Sequence, residues 1–438
     1  MIIELIILLF ITLFILVSFT YIITYKENLF QKYRYKIKDK KESKNNLINE
    51  KKGILNTIKK FFINDYIIYT KPKIKNANKT FTILSYNILT QKYLHKTVKE
   101  NWFLEKNIRL NNIIKEIKSI NPELFCLQEA TEDVINAHIK KEFEKEYNLI
   151  AHDNEGSPLK NVIGIKKDRF EIINEVKVII SDDKIKNNKD INNDNSDSDN
   201  SEDENILNNR IQVEGNRGII NVSLKDKLVK GKALNLFCVH FPWKPIYEYQ
   251  KARIMALIFD IILRKKIPNV IIAGDFNSVP NSIVVRMVYY EDWNEEMTNN
   301  EEYLKNFNFY KKETNLIKET IVKMEKRENF NRTIYGLLKI SKDVYEKYRL
   351  RSAYDNYRKA IKENGHFCFL RNHPKYTNYT NRFIDTIDYI FYSKNLNKLK
   401  ILKIPDIDKE EKGNKNAFLP NDKHPSDHLK LVVNFEYK

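Results

Sequence analysis

The run Val270-Ile271-Ile272-Ala273, followed by Gly274-Asp275-Phe276-Asn277-Ser278, constrains this chain more than any other stretch. The apolar residues read as a buried strand, and glycine then turns the chain. A strand that ends on Asp275 and Asn277 delivers a carboxylate and an amide to one spot, where a phosphate can be held and a water activated. Taken alone, the same pattern also suits a plain structural turn.

Further segments repeat the arrangement. Phe81-Thr82-Ile83-Leu84-Ser85-Tyr86-Asn87 alternates like a strand and ends on an asparagine. Leu124-Phe125-Cys126-Leu127-Gln128-Glu129 is a short apolar run ending on a carboxylate, and Leu236-Phe237-Cys238-Val239-His240 ends on a histidine. Asp388 starts the strand-like run to Tyr392, and His424-Pro425-Ser426-Asp427-His428 precedes a closing alternation from Leu429 to Phe435. Polar residues placed repeatedly at strand ends point to one catalytic edge. Each has a bland alternative: a solvated strand terminus for Glu129, a satisfied core histidine for His240, a turn residue for Asp427.

In this order the segments resemble the endonuclease/exonuclease/phosphatase superfamily with the deoxyribonuclease I-like fold, and within it the carbon-catabolite-repressor type deadenylase branch, shared with nocturnin and angel proteins. The resemblance spans roughly residues 80–438. It rests on Ser85-Tyr86-Asn87-Ile88-Leu89, Leu127-Gln128-Glu129, His240-Phe241-Pro242-Trp243-Lys244-Pro245, Arg351-Ser352-Ala353-Tyr354, Tyr376-Thr377-Asn378-Tyr379-Thr380 and Ile387 to Ser393. It implies a four-layered α/β/β/α sandwich and a metal-dependent phosphodiester hydrolase. The cofactor it implies is magnesium, with manganese as an alternative, bound by Glu129 and the Asn87 amide oxygen. In the same reading Asp275 orients or deprotonates the attacking water, Asn277 holds a phosphate oxygen, and His240 contacts the phosphate or leaving group. His428 donates to the phosphate or shuttles a proton, with Asp388 or Asp427 fixing its tautomer. Pro245 and Phe383 occupy the positions that contact terminal bases in the deadenylase branch. Pro242 departs from that branch, which more often has a polar residue or histidine there.

The expected activity is 3′-to-5′ hydrolysis of single-stranded RNA, with poly(A) tails as the favoured substrate. Alternatives on the same fold are a sphingomyelinase-like lipid phosphodiesterase, a nucleotide phosphatase or a 2′,5′-phosphodiesterase. A formal net charge of +18 fits an anionic partner, nucleic acid or acidic lipid. Cys126, Cys238 and Cys368 show neither metal-site nor disulfide spacing, which fits a reducing compartment.

Leu5 to Tyr25 is uncharged and mostly apolar, long enough to cross a bilayer as a helix. Lys26, Lys32, Arg34, Lys36, Lys38 and Lys40 follow, so the expectation is one transmembrane helix within residues 1–25 with the catalytic domain facing the cytosol. Residues 26–79 read as a basic stem and 80–438 as the catalytic domain. Residues 182–209 read as a disordered acidic insertion and 290–348 as a second insertion. Ile108, Ile113, Ile114, Ile117 and Ile120 recur at helical spacing between the first two motif strands. No leucine-rich array precedes the nuclease region, so membership of the large deadenylase complex is not expected.

Overall fold

Period-two alternation sorts the strand residues into separate cores, and these cores define the layers. The computed structural model describes residues 66–68, 78–94, 105–152, 158–180, 217–244, 247–290, 330–360, 372–410 and 418–438. The expected membrane segment, most of the stem, the 182–209 insertion and Cys368 lie outside them. Among the described residues, no helix is long and apolar enough to cross a membrane.

In chain order the strands are Tyr66–Ile68 (β1), Thr80–Asn87 (β2), Leu124–Ala130 (β3), Tyr147–Ala151 (β4), Lys160–Lys166 (β5), Phe170–Ile180 (β6), Arg217–Asp226 (β7), Ala233–His240 (β8), Asn269–Asp275 (β9), Arg351–Ser352 (β10), Asn378–Tyr379 (β11), Ile384–Asp385 (β12), Asp388–Tyr392 (β13), Leu396–Leu402 (β14) and Leu431–Tyr437 (β15). They form two mixed sheets, ordered β1-β14-β15-β2-β3-β5-β4 and β10-β13-β9-β8-β7-β6, plus the small β11-β12 ribbon. Within the sheets only β2 with β3 and β8 with β9 run parallel. The longer helices are Lys106–Ile120 (α1), Glu248–Lys265 (α2), Ile283–Tyr289 (α3) and Phe330–Tyr348 (α4).

Phe81, Ile83, Leu124 and Cys126 of the first sheet share one core with Leu234, Leu236, Cys238, Ile271, Ala273 and Ile390 of the second, so the sheets pack face to face. The opposite parity, Leu84, Tyr86, Phe125 and Leu127, packs under Leu110, Ile113, Ile114 and Ile117 of α1. On the other outer face Phe237, Val239, Ile272 and Phe391 meet Ile254, Ile258 and Ile262 of α2 and Val284 and Val288 of α3. The outcome is helices outside two facing sheets.

Two boundaries differ from the sequence expectation. β1 pairs with β14 and belongs to the same structural unit as the catalytic strands, Asp65–Lys438, so the domain reaches into the region read as stem. α4 places Val344 and Tyr348 in the outer core of the second sheet, so this end of the 290–348 segment is built into the domain.

Register aligns the polar strand ends. His240 lies opposite Asp275 across the parallel β8-β9 pair, and Asp275 lies opposite Asp388 across the antiparallel β9-β13 pair. In the first sheet Asn87 lies opposite Gln128. Because both parallel pairs end in the same direction, one end of the inter-sheet core collects these groups.

Candidate active site

Asn87 is 1% exposed and closes β2. Its Oδ1 accepts the Leu89 N–H at 3.0 Å, which turns its Nδ2 toward Glu129 Oε1 at 3.2 Å and Asp275 Oδ2 at 3.0 Å. The amide nitrogen therefore faces the carboxylates, and the oxygen expected beside a metal is engaged by the backbone. The Leu89 donor fixes this choice, which an isolated amide would leave open.

Strict alternation would send Glu129 outward with Phe125 and Leu127. A register slip between Leu127 and Ala130, with φ of 63° at Glu129, re-aims it into the site. There the Thr90 N–H donates to Oε2 at 3.0 Å. Asp275 is 1% exposed, and its Oδ1 accepts the Asn277 N–H at 2.8 Å. Gly274 permits that position: a Cβ there would lie 2.0 Å from the Val239 carbonyl oxygen, and its φ is 150°. Asn277 has φ of 46° and directs its Nδ2 to the Phe241 carbonyl at 2.9 Å. The buried Lys251 ammonium holds the Asn277 carbonyl at 2.6 Å.

The two histidines enter from different sides. His240 Nε2 lies 3.5 Å from Asp275 Oδ2 and 3.8 Å from Glu129 Oε1. His428 Nδ1 is hydrogen-bonded to Asp388 Oδ2 at 2.8 Å, and its Nε2 is 3.8 Å from Asp275 Oδ2. Asp427 stands 4.0 Å from that Nε2, so Asp388 is the hydrogen-bonded partner of the imidazole. Pro245 lies outside the described residues. Phe383 is half-buried in the turn between β11 and β12, where its N–H donates to Thr380 Oγ1 at 3.0 Å.

Three positioning residues were not singled out from sequence. Arg109, 1% exposed, donates to the carbonyls of Ile88 at 2.6 Å, Leu89 at 2.6 Å and Pro425 at 3.1 Å, tying the loop after β2 to the segment before His428. Its spacing was a usable signal: Arg109 falls four residues before Ile113, on the apolar stripe. Thr377 Oγ1 donates to Asp388 Oδ2 at 2.6 Å and accepts the N–H groups of Ile387 and Asp388, each at 3.0 Å. Ser426 Oγ donates to the Asn87 carbonyl at 2.6 Å and accepts the His428 N–H at 3.2 Å.

Negative charge is concentrated here. Burial, with Asp388 adding to it, lifts the Asp275 carboxyl to about 7. Burial alone would lower His428, but the carboxylates of Asp388, Asp427 and Asp275 outweigh it and hold the imidazole well above its usual range. Ligand atoms of Asp275, Asp388 and His428 all lie within 4.8 Å of one another, so these three could hold a metal ion. Glu129, the ligand expected from the sequence, is not one of the three; the two carboxylates of the set, Asp275 and Asp388, suit a hard divalent cation such as magnesium or manganese. Chemically, the site can hold a cation, exchange a proton at a carboxylate and donate from an imidazolium.

The Endonuclease/Exonuclease/phosphatase family matches residues 84–428. The chain is 26% identical over 394 residues to the probable CCR4-Not complex 3′-5′-exoribonuclease subunit Ccr4 of Enterocytozoon bieneusi (strain H348), covering 85% of this chain and 67% of that protein. It is 24% identical over 392 residues to the CCR4-Not complex 3′-5′-exoribonuclease subunit Ccr4 of Saccharomyces cerevisiae, covering 82% of this chain but only 39% of that protein. The crystal structure of ANGEL2, a 2′,3′-cyclic phosphatase, in complex with adenosine-2′,3′-vanadate shares the fold, with a TM-score of 0.51, 20% identity, and coverage of 83% of this chain and 97% of that one.

Proposed function

The chain belongs to the endonuclease/exonuclease/phosphatase family and is a phosphodiester hydrolase, and we propose that it is a divalent-metal-dependent 3′-to-5′ exoribonuclease acting on single-stranded RNA, with adenosine tails favoured. One observation carries this reading: Glu129, Asp275, His240 and the Asp388–His428 pair converge at one end of the inter-sheet core, with Asn87 bridging two of the carboxylates. The RNA substrate is supported by the two Ccr4 relatives named above, both 3′-5′-exoribonuclease subunits.

Magnesium or manganese at Glu129, with Asp275 beside it, would neutralise phosphate charge and lower the pKa of a bound water. The chain's own groups do the rest. Asp275, whose Oδ2 faces the Asn87 amide and the His240 ring, takes the proton of the attacking water. Asp388 fixes the Nδ1–H tautomer of His428 and stabilises its imidazolium, leaving Nε2 to donate toward a phosphate oxygen. His240 approaches the same oxygen cluster from the β8 side. The second hydrogen of Asn277 Nδ2 is left to reach a phosphate, while Phe383 and Pro245 would receive the terminal bases. The proposal includes residues 5–25 as a single-pass anchor that keeps this domain on the cytosolic side of a membrane.

End-labelled RNA ending in adenosines or cytidines, incubated with magnesium, tests the reading. Stepwise shortening from the 3′ end, faster on adenosine and abolished in Glu129→Ala, is expected. A folded, metal-supplied protein that leaves both RNAs intact would sink it and move the search to lipid and nucleotide phosphoesters.

A further inference from the structure

Among the described residues, the strongly exposed large apolar side chains are Tyr93 at 49%, Ile173 at 57%, Leu228 at 54%, Trp243 at 55% and Ile384 at 46%. Single exposed apolar residues are ordinary. What distinguishes three of these is their position. Trp243 is the third residue after His240, Tyr93 the third after Thr90, and Ile384 the fourth before Asp388. The His240 ring is 3.5 Å from Asp275, and the Thr90 amide is bonded to Glu129. Three residues reach at most about 10–11 Å, so Trp243 and Tyr93 each stand on a short segment leaving the catalytic groups. Ile173 and Leu228 belong to β6 and the β7-β8 turn, at the opposite end.

Charge accompanies the rings. The Lys244 ammonium lies 5.9 Å from the Trp243 ring centroid and 5.9 Å from that of Tyr247, near the outer range of a cation–π contact. Lys92 adjoins Tyr93 in the other segment. A cation held among aromatic faces at the mouth of an anionic, phosphate-directed site suits a ligand that alternates flat rings with phosphates.

We propose that Trp243 and Tyr93 form a stacking rim that binds bases of a single-stranded nucleic acid beyond those at the reacting end, with Lys244 neutralising a phosphate between them. The proposal deepens the exoribonuclease reading and rests on it for the identity of the substrate. Base–aromatic stacking contributes about 1–3 kcal/mol per base, so loss of one ring should weaken binding on the order of tenfold.

The test compares Trp243→Ala, Trp243→Phe, Tyr93→Ala and the far-end control Leu228→Ala in the full-length chain. Binding to an RNA of about ten adenosines is read by fluorescence anisotropy in a Glu129→Gln background, and turnover is read in parallel on that RNA and on a small chromogenic phosphodiester. Support requires that Trp243→Ala and Tyr93→Ala each weaken RNA binding roughly tenfold, with the loss of RNA turnover exceeding the loss on the small ester by a similar factor. Trp243→Phe should recover most of it, and Leu228→Ala should match the parent. Unchanged RNA affinity, or equal loss on both substrates, overturns the rim. So does a selective loss of binding to phosphatidylcholine–phosphatidylserine vesicles with RNA affinity intact, which would make the rim a lipid-docking surface. Tight, ring-dependent RNA binding by a parent protein that cannot shorten RNA would overturn the exoribonuclease reading and leave the rim standing.

Discussion

The two ends of the inter-sheet core handle buried charge in opposite ways. At the far end Arg169 and Asp226 form a closed pair, with guanidinium nitrogens 2.7 and 3.1 Å from one carboxylate oxygen. The other Asp226 oxygen accepts the N–H groups of Leu228 and Val229 at 2.8 and 3.0 Å. One cation meets one anion, and the remaining lone pairs are satisfied by the turn. At the catalytic end Glu129, Asp275, Asp388 and Asp427 gather around two imidazoles, with Asp275 lifted to about 7. The buried Arg109 guanidinium donates to three carbonyls and to Gln91. A balanced buried pair closes a structure, whereas an excess of buried carboxylate is tolerated where it has a cation or a proton to manage.

The sharpest way to break this contrast is to remove one carboxylate from each end. Asp275→Asn should lower kcat by roughly 10²–10⁴-fold while leaving the urea midpoint unchanged or higher, since a costly buried charge is gone. Asp226→Ala should do the reverse, costing about 3–5 kcal/mol of stability by leaving Arg169 unpaired, with near-parent turnover per folded molecule. Equal behaviour of the two variants in unfolding and kinetics would erase the distinction.

Arg109→Met tests whether the buried guanidinium organises the catalytic end or only fills it. Three backbone acceptors lose a charged donor, so a loss of at least about 3 kcal/mol is expected, together with reduced turnover that Arg109→Lys partly restores. Urea unfolding and steady-state kinetics on the same preparations decide it.

Proton linkage gives a medium-sized effect. The folded pKa of Asp275 is raised to about 7 from an ordinary 3.8, so its contribution to stability is full below about 4 and is lost as pH rises toward 7. His428 is also raised and has the same sign: its contribution is present below its ordinary pKa of 6.5 and is lost as pH rises through the higher folded value. In chelator, the unfolding free energy of the parent should therefore fall between pH 4 and 7 more steeply than that of Asp275→Asn. Magnesium should offset the fall in the parent, by about 2.7 kcal/mol when its concentration is a hundred times Kd. A pH profile identical in the two proteins would refute the assignment.

The smallest effect is expected from Thr377→Val, which removes one donor to Asp388 and the acceptor for two backbone amides. A cost of about 1–3 kcal/mol and a modest fall in kcat are expected, with the pH profile displaced because the Asp388–His428 pair is less firmly held. An unaltered pH profile would make Thr377 a purely structural turn residue.

Most of the residues that meet at this site are legible in the sequence. Asn87, Glu129, His240, Asp275 and Asp388 each stand at the end of an apolar strand-like run, and such runs must be buried with their polar ends at an edge. Arg109 was harder to see, because a charged residue on a helix normally reads as solvent-facing; only its phase with Ile113 and Ile117 set it apart. Thr377 and Ser426 could not be read, since a hydroxyl next to a motif looks the same whether it faces water or a buried carboxylate.

The residue pattern alone determined the strand identities, the α1 stripe and the family, because periodicity and short motifs are local properties of the chain. Tertiary structure decided the rest. The slip at Glu129 reverses the face that alternation assigns to it, and the partner of His428 is Asp388, forty residues away, in place of adjacent Asp427. Both follow from how two sheets register against each other, and that balance of packing and hydrogen bonding across distant segments leaves no mark in any single stretch of sequence.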